Sequence, residues 1–297
     1  MGNKPPQAPK LPTWLGGPPS GKQQRLDNAS KTGVYTVQDK NLSSFPNAAL
    51  EIEALRFLKI ENCSLQKLPG SIAKRSETLQ RLELNKNKLV SLPVEFGALL
   101  ALQKVDLSNN LLEALPDCWA SFPKLKELFV SNNKLQASLP PNPPLSAGAY
   151  TLNTYTGLPA SLGLAGALQL LDASSNKIAS LPDALGDLAN LQDLDVSQNL
   201  LVALPASLAS LKRIKRINLA HNGITEGGVP SGLLTETPVD HIRLEGNPMG
   251  SLKDTAGFEE YDKRNEKLAL KNIDQRVRTG DLSQGLGTAE QFKAMRQ

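Results

Sequence analysis

The chain has 297 residues, of which 40% are hydrophobic and only 4% aromatic, so any core that it builds is aliphatic. Its formal net charge of +4 is concentrated at one end: residues 1–31 hold Lys4, Lys10, Lys22, Arg25 and Lys31 against the single acid Asp27, whereas residues 32–252 hold 19 basic and 20 acidic groups. A folded region with balanced charge excludes nucleic acid as the expected partner. Two cysteines, Cys63 and Cys118, are too few for disulfide-closed caps, and no apolar secretory segment or run of 18 apolar residues is present, so the expected location is cytoplasmic.

Residues 1–31 read as a flexible, basic, Pro/Gly-rich arm without periodicity. Gly2 is a lipidation candidate, since removal of Met1 would expose its amine, although Pro6 stands where the myristoylation motif has Ser or Thr. With such an anchor the lysines of the arm would hold the protein peripherally at an anionic membrane surface. Leu11, Trp14 and Leu15 are the arm's apolar cluster, expected to pack over the first repeat unit of the adjoining domain.

From residue 32 a unit repeats. Leu102, Val105, Leu107 and Leu112 fall at relative positions 1, 4, 6 and 11 with Asn110 at position 9. Full copies start at Leu55, Leu79, Leu102, Leu125, Leu168, Leu191, Ile214 and Val239, at spacings of 23 to 25 residues apart from one gap of 43, and a degenerate copy runs through Tyr35, Val37 and Leu42. Their position-9 residues are Cys63, Asn87, Asn110, Asn133, Asn176, Asn199, Asn222 and Asn247. This is the leucine-rich-repeat pattern. Positions 4 and 6 alternate along a short strand and point inward, position 11 closes the same apolar column, and one copy cannot bury its own face, so copies stack. The asparagine amides are expected to satisfy main-chain groups at the bend after each strand. Leu-Pro pairs such as Leu92-Pro93 and Leu204-Pro205 mark where the chain leaves the sheet for a short helical turn.

The expected fold is therefore an α/β leucine-rich-repeat solenoid, a right-handed superhelix with a concave parallel sheet of about ten rungs over residues 32–252, succeeded by a capping helix and tail over 253–297. In the 43-residue gap, Leu145, Tyr150, Asn153, Tyr155 and Leu158-Pro159 fit positions 1, 6, 9, 11 and the following Leu-Pro, which predicts a divergent rung rather than a surface loop over 141–164. Asp254 or Thr255 can cap a helix to about Val277, with Phe258, Tyr261 and Leu268 on one stripe over the last rung.

The 23-residue spacing with Leu-Pro resembles the intracellular type of repeat found in Ras-pathway scaffolds. The chain is also similar to the family of the small vertebrate leucine-rich-repeat-containing protein 57, through Lys31-Thr32-Gly33-Val34 running into Leu42 and Phe45-Pro46, through Arg243-Leu244-Glu245-Gly246-Asn247, and through Tyr261-Asp262-Lys263. The Met1-Gly2-Asn3 start agrees with that family, and Pro6 and the longer arm depart from it. The resemblance implies a cytosolic or membrane-tethered interaction protein without catalysis.

No catalytic constellation, metal-ligand spacing or phosphate loop is found: His221 and His241 have no adjacent cysteine pair, and Gly227-Gly228 does not come after a strand in phosphate-loop order. No cofactor is expected. The expected activity is that of a non-catalytic protein-interaction scaffold or adaptor, with a regulatory subunit of a phosphatase or small GTPase as the alternative. Positions 3, 5 and 7 of each rung face outward from the sheet. Among them Phe129 and Leu170, read as two rungs or roughly 10 Å apart with Ala147 and Ala149 between, form an apolar dip, bordered by Asp172, Asp193 and Asp195, with Arg216 and Arg243 further along. A protein partner is expected to set an apolar side chain at Phe129 and basic groups against the aspartates.

Overall fold

The computed structural model describes residues 21–42, 44–136, 157–249 and 251–267. Nine strands form one parallel sheet in chain order: β1 (Val34–Gln38), β2 (Phe57–Glu61), β3 (Arg81–Glu83), β4 (Lys104–Asp106), β5 (Glu127–Phe129), β6 (Leu170–Asp172), β7 (Asp193–Asp195), β8 (Arg216–Asn218) and β9 (His241–Arg243). Position 4 of each inner rung, from Leu58 through Leu82, Val105, Leu128, Leu171 and Leu194 to Ile217, is buried, as are position 6 beside it and position 11 below, from Leu65 to Ile224. The strand-period alternation thus becomes one continuous aliphatic column. At β9, the last strand among the described residues, Ile242 and Leu244 are only partly buried.

What joins one rung to the next inside that column is the position-9 amide. Asn110 Nδ2 donates to the carbonyls of Leu84 in the preceding rung, at 3.0 Å, and of Leu107 in its own, at 2.9 Å, while its Oδ1 accepts the Leu89 N–H at 3.0 Å. Asn87, Asn133, Asn176, Asn199, Asn222 and Asn247 repeat the same set of contacts. Cys63 stands at the head of the ladder, buried, its thiol directed at the Glu61 carbonyl at 3.1 Å.

The divergent rung expected within residues 141–164 does not exist. Strand β5 pairs directly with β6, Glu127 opposite Leu170 and Leu128 opposite Leu171. The amide ladder also runs straight across, since Asn176 Nδ2 reaches the Val130 carbonyl at 3.1 Å. Pro159 leads into the 3₁₀ turn Ala160–Leu164 that packs beside the turn at Trp119–Ser121, so Leu158-Pro159 is the Leu-Pro pair of the Leu125 rung itself. Residues 137–156 are accordingly an insertion between Gln136 and Gly157, and a Cβ at Gly157 would lie 3.3 Å from the Gln136 nitrogen, so the two ends meet. The sheet has nine strands among the described residues rather than ten.

Both ends depart from expectation. Part of the arm is helical: α1 (Gly21–Thr32) buries Ala29 completely and leans Leu26 on the core, covering the first rung that Leu11, Trp14 and Leu15 were expected to cover. Those three residues and Gly2 lie outside the described residues. After α2 (Ser231–Thr235) and β9, the last helix, α3, starts at residue 258 rather than at Asp254 and is described to residue 267. Its Tyr261 is buried, and Arg264 Nη2 donates to the carbonyls of Leu234 and Val239 at 3.1 and 2.9 Å. Leu268 and the expected continuation to Val277 lie outside the described residues.

Opposite the sheet, Pro46, Pro69, Pro93, Pro159, Pro182 and Pro205 each precede a 3₁₀ turn, as proline's fixed φ and missing N–H allow. These turns pack closely. A methyl group at Gly163 would overlap the Ala184 carbonyl, and one at Gly186 the Ser207 carbonyl. Position 8 of the rungs carries a further regularity: Asp39, Asn62, Lys86, Asn109, Asn132, Ser175, Gln198 and His221 all have positive φ between 50° and 56°, and Gly246 closes the series at 76°. The left-handed residue turns the chain out of the strand and lets its N–H reach the next rung, as Asn109 does to the Ser131 carbonyl at 2.9 Å.

This packing sets two expected outcomes. Asn110→Ala strips partners from buried main-chain groups in two rungs and should lower unfolding free energy by about 1–3 kcal/mol in urea titration; an unchanged midpoint would show that the ladder is ornamental. Joining Gln136 to Gly157 without residues 137–156 restores the 23-residue spacing and should leave the circular-dichroism spectrum and a cooperative melt in place. Loss of cooperative unfolding in that shortened chain would mean that the segment belongs to the solenoid after all.

Candidate partner-binding face

Two rows of side chains cover the open face of the sheet. Position 3 reads Val34, Phe57, Arg81, Lys104, Glu127, Leu170, Asp193, Arg216 and His241, and position 5 reads Thr36, Lys59, Glu83, Asp106, Phe129, Asp172, Asp195, Asn218 and Arg243, in register across all nine strands. Because β5 and β6 are neighbours, Phe129 lies opposite Asp172 and diagonal to Leu170 on the adjacent strand, not two rungs away, and Ala147 and Ala149 do not separate them. The apolar dip is thus tighter than a two-rung separation would make it. Phe129 and Leu170 are both half-buried on a surface that has no second layer above it among the described residues. One side of the Phe129 ring holds the Lys104 ammonium 4.8 Å from its centroid, and the same ammonium pairs with Glu127 at 3.0 Å.

The charged residues expected around the dip divide into two groups. Asp193 is ion-paired with Arg216, and Arg243 lies 3.8 Å from Glu245, so neither arginine nor Asp193 is a bare charge. Asp172 and Asp195 each use Oδ1 locally: Ser174 N and Oγ donate to Asp172 at 3.0 and 2.7 Å, and Ser197 N and Oγ donate to Asp195 at 3.0 and 2.6 Å. Asp106 does the same with Ser108, at 3.0 and 2.6 Å. The Asp-x-Ser spacing in these three rungs is thus a strand-end turn as well as surface charge, a local side-chain-to-backbone bond that the sequence carried openly. The second oxygen of each carboxylate remains on the open face, where that of Asp195 accepts the Asn218 amide at 2.9 Å.

Toward the N-terminal rungs the face is tied to itself. Lys59 pairs with Glu61 at 2.9 Å and Glu83 at 3.7 Å, Lys86 reaches Glu61 at 3.2 Å, and Gln38 donates to Glu61 at 2.6 Å. The hydrogen bond from Lys59, and after it that from Gln38, holds the Glu61 carboxyl down to about 2. Arg81 rests over the Phe57 ring at 6.0 Å. Elsewhere the chemistry is quiet. Burial raises both thiols, that of Cys118 to about 11, away from nucleophilic use, and no group of three or more His, Cys, Asp or Glu able to hold a metal ion occurs among the described residues. No described helix is long and apolar enough to cross a membrane.

Comparison with known proteins agrees with this architecture. Residues 77–135 and 165–224 match the family model described as leucine rich repeat, on the two sides of the insertion. No curated protein matches the sequence. Among solved structures the chain is similar to an internalin (inlF) of Listeria monocytogenes, 18% identical with a TM-score of 0.60 over 79% of this chain and 61% of that one. It is also similar to the leucine-rich-repeat ectodomain of the Arabidopsis receptor kinase HAESA, crystallised in complex with an N-terminal extended IDA peptide hormone, 25% identical with a TM-score of 0.55 over 71% of this chain and 34% of that one. The chain therefore spans about three fifths and one third of the lengths of these two structures. The fold is that of a leucine-rich-repeat solenoid.

The Glu61 network makes the fold acid-sensitive in a defined window. A carboxyl held below its ordinary value of 4.5 contributes stability that is complete above that value and is lost as pH falls through about 2. Between those limits the unmodified protein should lose stability in urea titrations, and Glu61→Gln should lose less. Superimposable pH profiles for the two would remove the Lys59–Glu61 contact as the cause.

Proposed function

We propose that the chain is a non-catalytic protein-interaction scaffold whose partner lies on the concave sheet around β5 and β6. The observation that carries this reading is Phe129: a large ring, half-buried on an open sheet, next to Leu170 on the adjacent strand, with no layer of its own chain above it among the described residues. Burying a side chain of this kind is worth most when a partner excludes the remaining water, which is why aromatic anchors with apolar neighbours dominate interface energetics. Support comes from the fold, in which a rigid parallel sheet presents consecutive residues at fixed spacing, and from the receptor ectodomain of the same architecture, whose structure holds a peptide hormone. The resemblance to the leucine-rich-repeat-containing protein 57 family agrees with an adaptor of this kind.

The test uses the whole chain. Affinity purification from the native cell with quantitative mass spectrometry names the stoichiometric partner, and titration calorimetry then compares the unmodified protein with Phe129→Ala. Because the ring stands outside the aliphatic column, the variant should melt cooperatively at nearly the original temperature while binding weakens by about 2 kcal/mol or more. Full binding by a correctly folded Phe129→Ala would move the partner site off this face.

A further inference from the structure

Position 5 of four consecutive strands, β4 to β7, reads Asp106, Phe129, Asp172 and Asp195. At ordinary strand spacing the row measures roughly 14 Å. Over most of the face, opposite charges are already matched: Lys59 with Glu61 and Glu83, Lys104 with Glu127, Arg216 with Asp193, Arg243 with Glu245. The three aspartates of this row differ. None forms an ion pair among the described residues, and each is held rigid by the serine two residues on. Between them stands a ring that already carries a cation on one side, the Lys104 ammonium at 4.8 Å.

We infer that this row receives a basic segment of a protein partner, an extended stretch that lays Arg or Lys side chains along Asp172 and Asp195 and across Phe129, with their aliphatic stems over Leu170. The inference rests on the concave-face reading above and adds the chemistry of the occupant. Three fixed carboxylates without counter-charges repel one another, and a cationic chain relieves that repulsion without reorganising the sheet. A guanidinium or ammonium on the ring face gains a cation–π contact in the geometry that Lys104 displays. An acidic segment or a nucleic acid would meet like charge along the whole row. A metal ion is disfavoured because these carboxylates do not converge into a group able to hold one.

The face also supplies a benign probe. In β8 the position-5 residue is Asn218, and its Oδ1 accepts the Ala220 N–H at 3.2 Å as the aspartates accept their serines, so Asp→Asn at this position keeps the turn and removes the charge, at Asp195 together with the oxygen that accepts the Asn218 amide. Random peptides displayed on phage are selected on the full chain, and synthetic copies of the winners are titrated into the unmodified protein, the Asp172→Asn/Asp195→Asn double variant and Phe129→Ala. The expected winners are enriched in Arg or Lys, weaken as salt is raised, and lose roughly tenfold or more in affinity for the double variant. Winners without a basic excess, or basic winners indifferent to the double variant, overturn this inference; if they still lose affinity for Phe129→Ala, the concave-face reading stands. A selection without winners, or winners indifferent to all three substitutions, overturns both.

Discussion

Everything in this molecule depends on a carboxamide that answers at least three main-chain groups at once. In an aliphatic column, a strand that bends away from its sheet leaves carbonyl and N–H groups where water cannot reach them, at a cost that no leucine can offset. The position-9 asparagine brings two donors and an acceptor to that bend and divides them between two rungs, as Asn199 does with Ala173, Val196 and Ile178. Stacking is therefore enforced by polar satisfaction as well as by apolar burial. The same contact fixes the height of each strand relative to its neighbour, which is why outward side chains fall into straight rows.

Period and position were legible in the residues because only one geometry puts Leu, Leu, Asn and Leu at such intervals. The strands of all nine rungs lie where the repeat placed them, the degenerate first one included. The expected divergent rung fails for a physical reason: Leu145, Tyr150 and Tyr155 imitate the repeat's apolar spacing, and apolar spacing alone does not make a rung. The signals against a rung were Gly148 at the inward position 4 and a start at Leu145 only 20 residues after Leu125, where the other rungs are 23 to 25 apart. Helix α1 has almost no apolar signal, since in GKQQRLDNASKT Leu26 and Ala29 stand alone among polar residues, and the two meet the first rung only in three dimensions. On the face itself, the residue types were readable but not their pairing, since ion pairs between adjacent strands join residues 23 apart, as Arg216 and Asp193 are.

Pairing is also what gives the face its gradient. Where Lys59, Glu61 and Glu83 satisfy each other, a partner would have to break existing contacts before making its own, and the gain is small. Around Phe129 and Asp172 there is less to break. Under the proposed reading, a surface of uniform architecture becomes locally receptive where internal counter-charges are missing among the described residues, and both rows run in register from β5 to β6.

The tight seating of Gly163 on Ala184 and of Gly186 on Ser207 bears on the shape of the arc. A solenoid curves when its outer layer is thicker per repeat than its inner one. Trp119, Phe96 and Phe122, packed edge-to-face or tilted with ring centroids 5.4 to 6.0 Å apart, act as wedges in the outer layer near β4 and β5, while glycine and small residues remove the wedge from the later turns. By that geometry the sheet is expected to bend more beside the aromatic cluster than beyond it, so the radius that a bound segment would adopt is set by side-chain volume on the side of the molecule it never touches.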